Sequence, residues 1–418
     1  MSSPMHHAAT EQVQTPCYLY DLAAIEARAQ AIQRALGAEL DLYYAIKANP
    51  AMGLLRAMQP MVDGVDLSSE RELQRALKAG YGAGKMSFAG PGKSDEALAQ
   101  AVEAEIGSIS VESLGELKRL AQQARQLGKT ARITIRFNPA VNFPGYAIRM
   151  GGRASAFGVD ELQLPELLHW IASEGQGAVE LVGLHAFTGT QCMKPETLRE
   201  NFNHTMQVAV RIAEEHGVRF TRLNFGGGLG IPYQAGQEPI DGDGVLHQLA
   251  EDFATWKRAH PAMAAVRGIV ELGRYLVGEA GWYVTTVVDC KRSREEAFAI
   301  LDGGMHHHLA ASGNFGQVIR RNFPLQHLTA KADRPVEKVT LNGPLCTSLD
   351  LMADRAELPQ VQVGDRIAIL SSGAYGLTAS SLLFLSHATP YEYLLRPDGT
   401  LQLLRQSVDP TTLGEVDG

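Results

Sequence analysis

The sequence predicts an α/β protein in which a (β/α)8 barrel is followed by a mostly antiparallel β domain. The first observation is that eight short β-rich runs alternate with amphipathic segments over about 250 residues, the length and rhythm of such a barrel. The second is a change of rhythm after residue 276, where strand-like runs are separated by Gly, Pro, Asp and Asn turns. A doubly wound sheet that does not close into a barrel would show the same alternation, and it is the alternative fold.

The barrel is expected to occupy residues 25–276 and the β domain residues 277–418. A further strand in the N-terminal segment 14–24 is expected to join the β domain. The eight runs expected as barrel strands are 41–50, 62–69, 85–91, 107–113, 131–139, 179–189, 220–228 and 266–276.

The segments between these runs carry helix boundary signals. Ser69 and Glu72 have the spacing of a capping box, and Gly80 ends that helix. Ser113 and Glu116 repeat the device at a later helix. Together with the long amphipathic stretches before and after run seven, these signals predict helices between the strands.

Composition limits the class of protein and its partners. The 418 residues are 45% apolar and 20% charged, which suits a globular protein of two domains. A formal net charge of -8 argues against nucleic acid as a partner. No apolar stretch long enough for a secretory signal or a membrane span is found, and the four scattered cysteines favour the reducing cytoplasm over a disulfide framework or a zinc site.

Candidate functional residues lie where the barrel strands end, which is where barrel enzymes place their chemistry. Lys47 ends the first run inside the apolar segment YYAIKANP, and a desolvated lysine can act as a Schiff-base amine. An exposed strand-edge lysine is the alternative. His185 and Phe187 are two residues apart near the end of the sixth run, so their side chains are expected on the same side of the strand. Glu271 and Arg274 lie at the end of the eighth run.

The triple glycine 226–228 follows the seventh run, where barrels often bind phosphate. Backbone without side chains can approach an anion closely and offer several N–H donors, although a plain tight turn would have the same composition. The three consecutive histidines 306–308 are not expected to bind a metal, because adjacent side chains point in different directions.

Five segments, in this order, resemble the fold-type III pyridoxal-phosphate decarboxylases: YYAIKANP, NFGGGLGIPY, ELGRYLVGEAG, GPLCTSLD and SSGAYG. This family holds diaminopimelate, ornithine and arginine decarboxylases, with alanine racemase as a more distant relative. The resemblance covers nearly the whole chain, from PCYLYDL to PYEYLL. It implies pyridoxal 5'-phosphate as the cofactor and decarboxylation of a small-molecule amino acid as the reaction.

The resemblance also implies roles for matching residues. Lys47 would carry the cofactor as a Schiff base, Glu271 would pair with the pyridine nitrogen, and Cys346 would protonate the substrate carbon. In the family this cysteine enters the neighbouring subunit's site, which implies a homodimer with shared active sites. An inert buried thiol is the alternative for Cys346. The other cofactor-binding residues implied are Asp66, Arg136, His185, Phe187, Thr190, Gly226, Gly227, Gly228, Arg274 and Tyr375.

Two departures from the family pattern bear on the substrate. Phe187 stands where the family often has a histidine stacked on the cofactor ring. Thr347 follows the cysteine, where diaminopimelate decarboxylases have a glutamate that binds the far end of the substrate. Segments such as HAFTGTQ and GGMHHHLAASGNFG resemble a subgroup that includes a glutamyl carrier-protein decarboxylase and exosortase-associated enzymes.

We therefore expect an acidic aminoacyl unit tethered to an acyl carrier protein, with a free amino acid as the alternative substrate. The basic residues of KRSREE and IRRNFP are expected to lie close together and to attract an acidic carrier, unless they are an ordinary solvated surface. A racemase is the rival enzyme, and Glu271 argues against it because racemases of this fold place an arginine at the pyridine nitrogen. A non-catalytic pyridoxal-phosphate-binding protein is the rival from another class.

Overall fold

The computed structural model describes residues 4–234, 236–315 and 320–412. The chain divides into two units. One consists of Ala27–Ile231 and Pro239–Tyr275, and the other of Met1–Glu26, Pro232–Glu238 and Leu276–Gly418. The first unit begins at residue 27 rather than 25 and ends at 275 rather than 276. The sequence did not indicate that Pro232–Glu238 leaves the first unit to join the second.

Eight parallel strands form a closed barrel in the first unit. Each strand pairs with its neighbours in the chain, and the eighth pairs with the first, so the open doubly wound sheet is excluded. The (β/α)8 prediction is confirmed. The strands are β1 Leu40–Ala45, β2 Gly64–Leu67, β3 Met86–Phe88, β4 Ser108–Val111, β5 Ala131–Asn138, β6 Val179–Ala186, β7 Arg222–Asn224 and β8 Arg267–Leu272.

Most residues of these strands are buried, because one face fills the barrel interior and the other packs under helices. The register places Tyr43 of β1 beside Glu271 of β8 and Ala45 of β1 beside Asp66 of β2. Polar side chains of neighbouring strands meet in the barrel, where Ser87 of β3 donates to Asp66 of β2.

Helices follow the strands as the capping signals predicted. Ser69 Oγ accepts from the Glu72 amide at 3.2 Å, and Gly80 ends the helix at φ 96°. Ser113 caps the next helix but one, whereas the Glu116 carboxylate turns away to pair with buried Lys93 at 2.9 Å. The helices are Pro4–Gln12, Leu22–Leu36, Met52–Met58, Glu70–Ala79, Asp95–Glu103, Leu114–Gln126, Leu164–Ser173, Pro195–His216, Gly242–Ala259 and Arg274–Val277. Among the described residues, none of these helices combines the length and apolarity needed to cross a membrane.

The first unit contains three further short strands besides the eight of the barrel, and the sequence did not predict them. Tyr146–Arg149 and Gly189–Cys192 form a two-stranded antiparallel sheet, and Val159–Asp160 extends β5 on one side. The small sheet is anchored to the loop after β7, because the Cys192 amide donates to the Gly228 carbonyl at 2.9 Å.

The second unit contains a nine-stranded, mostly antiparallel sheet. The N-terminal strand joins it, as expected, between the strands that begin at Gly281 and Tyr391. The strands are Cys17–Asp21, Gly281–Ser293, Glu296–Leu301, Leu325–His327, Val336–Asn342, Leu351–Pro359, Arg366–Ile369, Tyr391–Leu395 and Leu401–Arg405.

The sequence did not predict the strand Leu351–Pro359, whose composition, LMADRAELP, favours a helix. Its pairing with Val336–Asn342 is interrupted by two register shifts, so its buried positions do not alternate regularly. Tertiary pairing overrides the local preference at this position.

Candidate active site

Lys47 lies in the 3-10 turn Ile46–Ala48, which directly follows β1. Its Nζ is 3.6 Å from Oδ2 of Asp66, and the lysine side chain is 36% exposed while that of Asp66 is 1% exposed. The Lys47 side chain is therefore partly buried, and its neighbours in the chain, Ile46 and Ala48, are buried. Because the chain leaves the strand at this turn, the Lys47 side chain lies beside the Asp66 carboxyl group.

Asp66 and Glu271 form a pair of buried carboxyl groups with opposite pKa shifts. Burial, helped by the charge of Glu271, raises the pKa of Asp66 to about 8, against the opposing pull of Lys47 and Ser87. Burial alone would also raise the pKa of Glu271, but the His185 ring, Lys47 and Asn224 outweigh it and lower that pKa to about 2. Near neutral pH the negative charge therefore resides on Glu271.

Glu271 is held by three side chains from three other strands. Asn224 Nδ2 donates to its Oε1 at 2.5 Å, and Ser87 Oγ lies 3.4 Å from the same oxygen. His185 Nε2 faces Oε2 at 3.5 Å, which is an electrostatic contact rather than a well-formed hydrogen bond. Ser87 also donates to Asp66 Oδ1 at 3.0 Å and so links the two carboxyl groups.

The triple glycine after β7 is shaped by close backbone contacts. Gly226 and Gly228 adopt φ of 62° and 104°, and a Cβ on Gly227 would lie 1.9 Å from the Glu271 carbonyl oxygen. The Gly226 amide donates to Asn224 Oδ1 at 2.9 Å. Among the described residues, the amides of Gly227 and Gly228 donate to no other group, so both remain available to an anion.

An aromatic and a basic side chain complete the wall near Lys47. The Phe187 ring centroid lies 5.3 Å from Lys47 Nζ and 5.7 Å from the Arg136 guanidinium carbon. Arg136 is buried and pairs with Glu112 at 2.8 Å. Glu112 also accepts from the amides of Gly90 and Gly158, which fixes the arginine in place.

Thr190 and Arg274 lie shortly after the barrel strands β6 and β8. Thr190 is half-buried in the two-stranded sheet that Cys192 ties to Gly228. Arg274 begins the short helix directly after β8 and is half-buried.

Cys346 and Tyr375 belong to the second unit. Cys346 is exposed and its thiol is free, so it is not an inert buried cysteine. Its segment is held by the buried Asp350 carboxylate, which accepts from the amides of Leu345 at 2.8 Å and Met305 at 2.6 Å. Tyr375 is half-buried and has a φ of 53°.

The consecutive histidines make separate contacts in the second unit. His307 Nε2 is 2.8 Å from the Ala388 carbonyl oxygen, and His308 Nε2 is 2.8 Å from Ser372 Oγ. His306 packs against His307 with ring centroids 3.7 Å apart.

Sequence reasoning missed the polar residues that connect the site. Ser87, Ser110, Thr134 and Asn224 lie within runs that were interpreted as strands, and all four are buried. A polar residue inside an otherwise apolar barrel strand was the available signal, because buried polar groups need partners.

These residues suit a cofactor that carries an aldehyde, a basic ring nitrogen and a phosphate. The amine of Lys47 is accessible, the ionised Glu271 can face a protonated nitrogen, and two glycine amides are available for phosphate oxygens. The fold and site thus define a barrel enzyme of the pyridoxal-phosphate class.

The chain belongs to the pyridoxal-dependent decarboxylases, because residues 22–278 match the family described as pyridoxal-dependent decarboxylase, pyridoxal binding domain. It is 36% identical to the L-glutamyl-[BtrI acyl-carrier protein] decarboxylase of Niallia circulans, over 96% of this chain and 92% of that protein. It is 32% identical to the diaminopimelate decarboxylase of Methanothermobacter thermautotrophicus, over 94% and 89%.

The solved structure of Helicobacter pylori diaminopimelate decarboxylase complexed with L-lysine superposes with a TM-score of 0.85 at 29% identity, covering 96% of each chain. The protein is thus a carboxy-lyase that uses pyridoxal 5'-phosphate to decarboxylate an amino acid. The racemase and the non-catalytic binding protein are set aside.

Proposed function

We propose that this enzyme decarboxylates a glutamyl-type unit that is bound as a thioester to an acyl carrier protein. The observation that carries the proposal is the similarity, over nearly the full length of both chains, to a decarboxylase named for a glutamyl carrier-protein substrate. The residue after Cys346 supports it, because Thr347 offers no negative charge to a distal ammonium group.

In this proposal Lys47 binds the cofactor aldehyde, and the amides of Gly227 and Gly228 bind its phosphate together with Tyr375, Arg274 and Thr190. Asp66 and Arg136 line the site beside the ring, and Phe187 packs on the ring. The cofactor, when bound, supplies the electron sink that accepts the electron pair as CO2 leaves. Glu271, kept ionised by its neighbours, holds a proton on the ring nitrogen, and His185 supports that charge.

Cys346 gives its thiol proton to the α-carbon after CO2 has left. We propose that it acts in the site of a second copy of the chain, so that the enzyme is a homodimer with shared active sites. Its exposure within the second unit supports this role, since a proton donor to a partner copy must stand at the surface. The cytoplasm is the compartment we propose, because the four cysteines are free and an exposed catalytic thiol needs a reducing environment.

The basic residues proposed to attract an acidic carrier make different contacts. Arg292 is neutralised by an ion pair with Glu337, while Arg321 Nη1 donates to Gln234 Oε1 at 2.8 Å. Arg320 is half-buried, and burial lowers its pKa. Lys291 and Arg294 are exposed and form no ion pair with any described residue, so they are the better candidates for steering.

A substrate comparison tests the proposal. CO2 release is measured with glutamyl-, aspartyl- and lysyl-carrier protein and with the same amino acids free. We expect the glutamyl carrier to give the highest kcat/KM and the value to fall steeply with ionic strength. Efficient turnover of a free amino acid with no salt dependence would contradict the proposal.

Charge reversal locates the steering surface. Lys291→Glu and Arg294→Glu should lower kcat/KM for the carrier-bound substrate, mainly through KM, and weaken its salt dependence. Arg292→Glu is the matched control, because its charge is already paired with Glu337. A free amino acid remains the second candidate substrate, favoured by the full-length similarity to diaminopimelate decarboxylases.

A further inference from the structure

Two hydroxyl groups form a hydrogen-bonded chain that leads to Nδ1 of His185 in the barrel interior. Ser110 Oγ on β4 is 2.9 Å from His185 Nδ1 and 2.9 Å from Thr134 Oγ1 on β5. All three residues are buried: Ser110 is 0% exposed, His185 1% and Thr134 2%. Water cannot replace these contacts, so the two hydroxyls decide what the histidine ring donates and accepts.

The two oxygens of Glu271 have different partners. Oε1 accepts from Asn224 and lies near Ser87, while Oε2 faces His185 Nε2 at 3.5 Å. A neutral imidazole carries one hydrogen, and the partner of one ring nitrogen fixes the state of the other. For the neutral ring, the hydrogen-bond direction at Ser110 therefore decides whether Glu271 meets an N–H or a lone pair.

Of the two neutral tautomers of His185, only one suits an ionised Glu271. When Thr134 donates to Ser110 and Ser110 donates to Nδ1, the hydrogen of the neutral ring is on Nε2 and points toward the carboxylate. The reverse direction puts the hydrogen on Nδ1 and a lone pair against the carboxylate, which is repulsive in a buried site.

We propose that Ser110 and Thr134 are positioning residues of the cofactor site, which hold His185 with its hydrogen on Nε2 and thereby keep Glu271 ionised. They act through His185 and Glu271. The proposal needs cofactor binding in this barrel but does not depend on which amino acid is the substrate.

Nitrogen NMR of protein labelled with 15N-histidine tests the tautomer directly, without substrate. The His185 signals are identified by their loss in His185→Gln. At neutral pH we expect hydrogen on Nε2 in the unaltered protein and a large fraction on Nδ1 in Ser110→Ala. Hydrogen on Nδ1 in the unaltered protein, or an unchanged tautomer in Ser110→Ala, overturns the proposal.

Thr134 provides a matched pair that separates the hydroxyl from packing. Thr134→Val keeps the shape and removes the hydroxyl, whereas Thr134→Ser keeps the hydroxyl and loses a methyl group. We expect the tautomer to shift in the valine variant and not in the serine variant. Since Thr134→Val preserves volume, this pair decides the question even if Ser110→Ala does not fold.

In the loaded enzyme, Ser110→Ala and Thr134→Val should lower kcat by about tenfold, as losses of supporting hydrogen bonds around a site do. KM and the dissociation constant of pyridoxal 5'-phosphate should change by less than about twofold, because ground-state contacts are intact. Equal losses in Thr134→Val and Thr134→Ser would show a packing role and overturn the proposal. Because the NMR measurement uses no substrate, an error in the proposed substrate would not affect it.

Discussion

Replacing Glu271 by glutamine removes the buried charge on which the proposed electron sink depends. The neighbours of Glu271 lower its pKa from 4.5 to about 2 although burial opposes them. The surroundings of Glu271 therefore favour the charged carboxylate over the neutral acid. A neutral glutamine side chain cannot form an ion pair with a protonated ring nitrogen.

Removing one preorganised electrostatic partner of a reacting group typically lowers kcat by roughly 10²-fold to 10³-fold. Glu271→Gln should therefore lose about two orders of magnitude in kcat. Cofactor affinity should fall much less, because the glycine amides and Lys47 are unchanged. A second effect adds to the first, since the glutamine amide must rearrange its contacts with His185 and Asn224.

The assay is single-turnover CO2 release at saturating substrate, with bound cofactor measured by absorbance in the same sample. Glu271→Asp is the control, because aspartate keeps the negative charge but its side chain is shorter by one methylene group, so the carboxylate lies farther from the ring nitrogen. We expect Glu271→Asp to retain more activity than Glu271→Gln. Turnover of the glutamine variant within about fivefold of the unaltered enzyme would refute the reasoning, since it would leave less than about 1 kcal/mol for the charge.

Four further predictions follow from single residues. Lys47→Ala should abolish covalent cofactor, and borohydride reduction with peptide mapping should label Lys47 alone in the unaltered enzyme. Gly227→Ala should weaken pyridoxal 5'-phosphate binding at least about tenfold, measured by equilibrium dialysis, because its Cβ would lie 1.9 Å from a carbonyl oxygen. In D2O, Cys346→Ala should still release CO2 but place deuterium on both faces of the α-carbon, and a product deuterated on a single face, as in the unaltered enzyme, would count against the thiol. Glu161, bound by His204 at 2.7 Å and Arg211 at 2.8 Å, has its pKa lowered from 4.5 to about 2 despite burial. Its stabilisation is present above pH 4.5 and lost as pH falls toward 2, so Glu161→Gln should reduce the free energy of unfolding by roughly 1–3 kcal/mol at pH 7 and by less near pH 3, measured by urea titration.

The sequence by itself determined the order and type of the barrel elements, because each is specified locally. Strand runs are apolar on both faces, and Ser69 and Ser113 cap helices through contacts within four residues of the chain. The glycine loop was also predictable, since three consecutive glycines indicate a backbone that passes close to other groups, and a Cβ on Gly227 would lie 1.9 Å from the Glu271 carbonyl oxygen. The family motifs identified the cofactor because they combine such local constraints in a fixed order.

The extra strands Tyr146–Arg149 and Gly189–Cys192 depend on each other, and a helix and another barrel strand separate them in the chain. The strand Leu351–Pro359 pairs with the preceding strand Val336–Asn342, and this pairing overrides the helical preference of its own composition. The excursion of Pro232–Glu238 into the second unit had no local signal either.

Only the tertiary structure decided how the site is charged. Barrel closure brings Asp66, Ser87, His185, Asn224 and Glu271 from five strands into one buried network. Two carboxyl groups in one low-dielectric interior acquire opposite pKa shifts because Glu271 has the better donors and Asp66 does not. No local pattern specifies such a balance, since each contribution comes from a residue on a different strand.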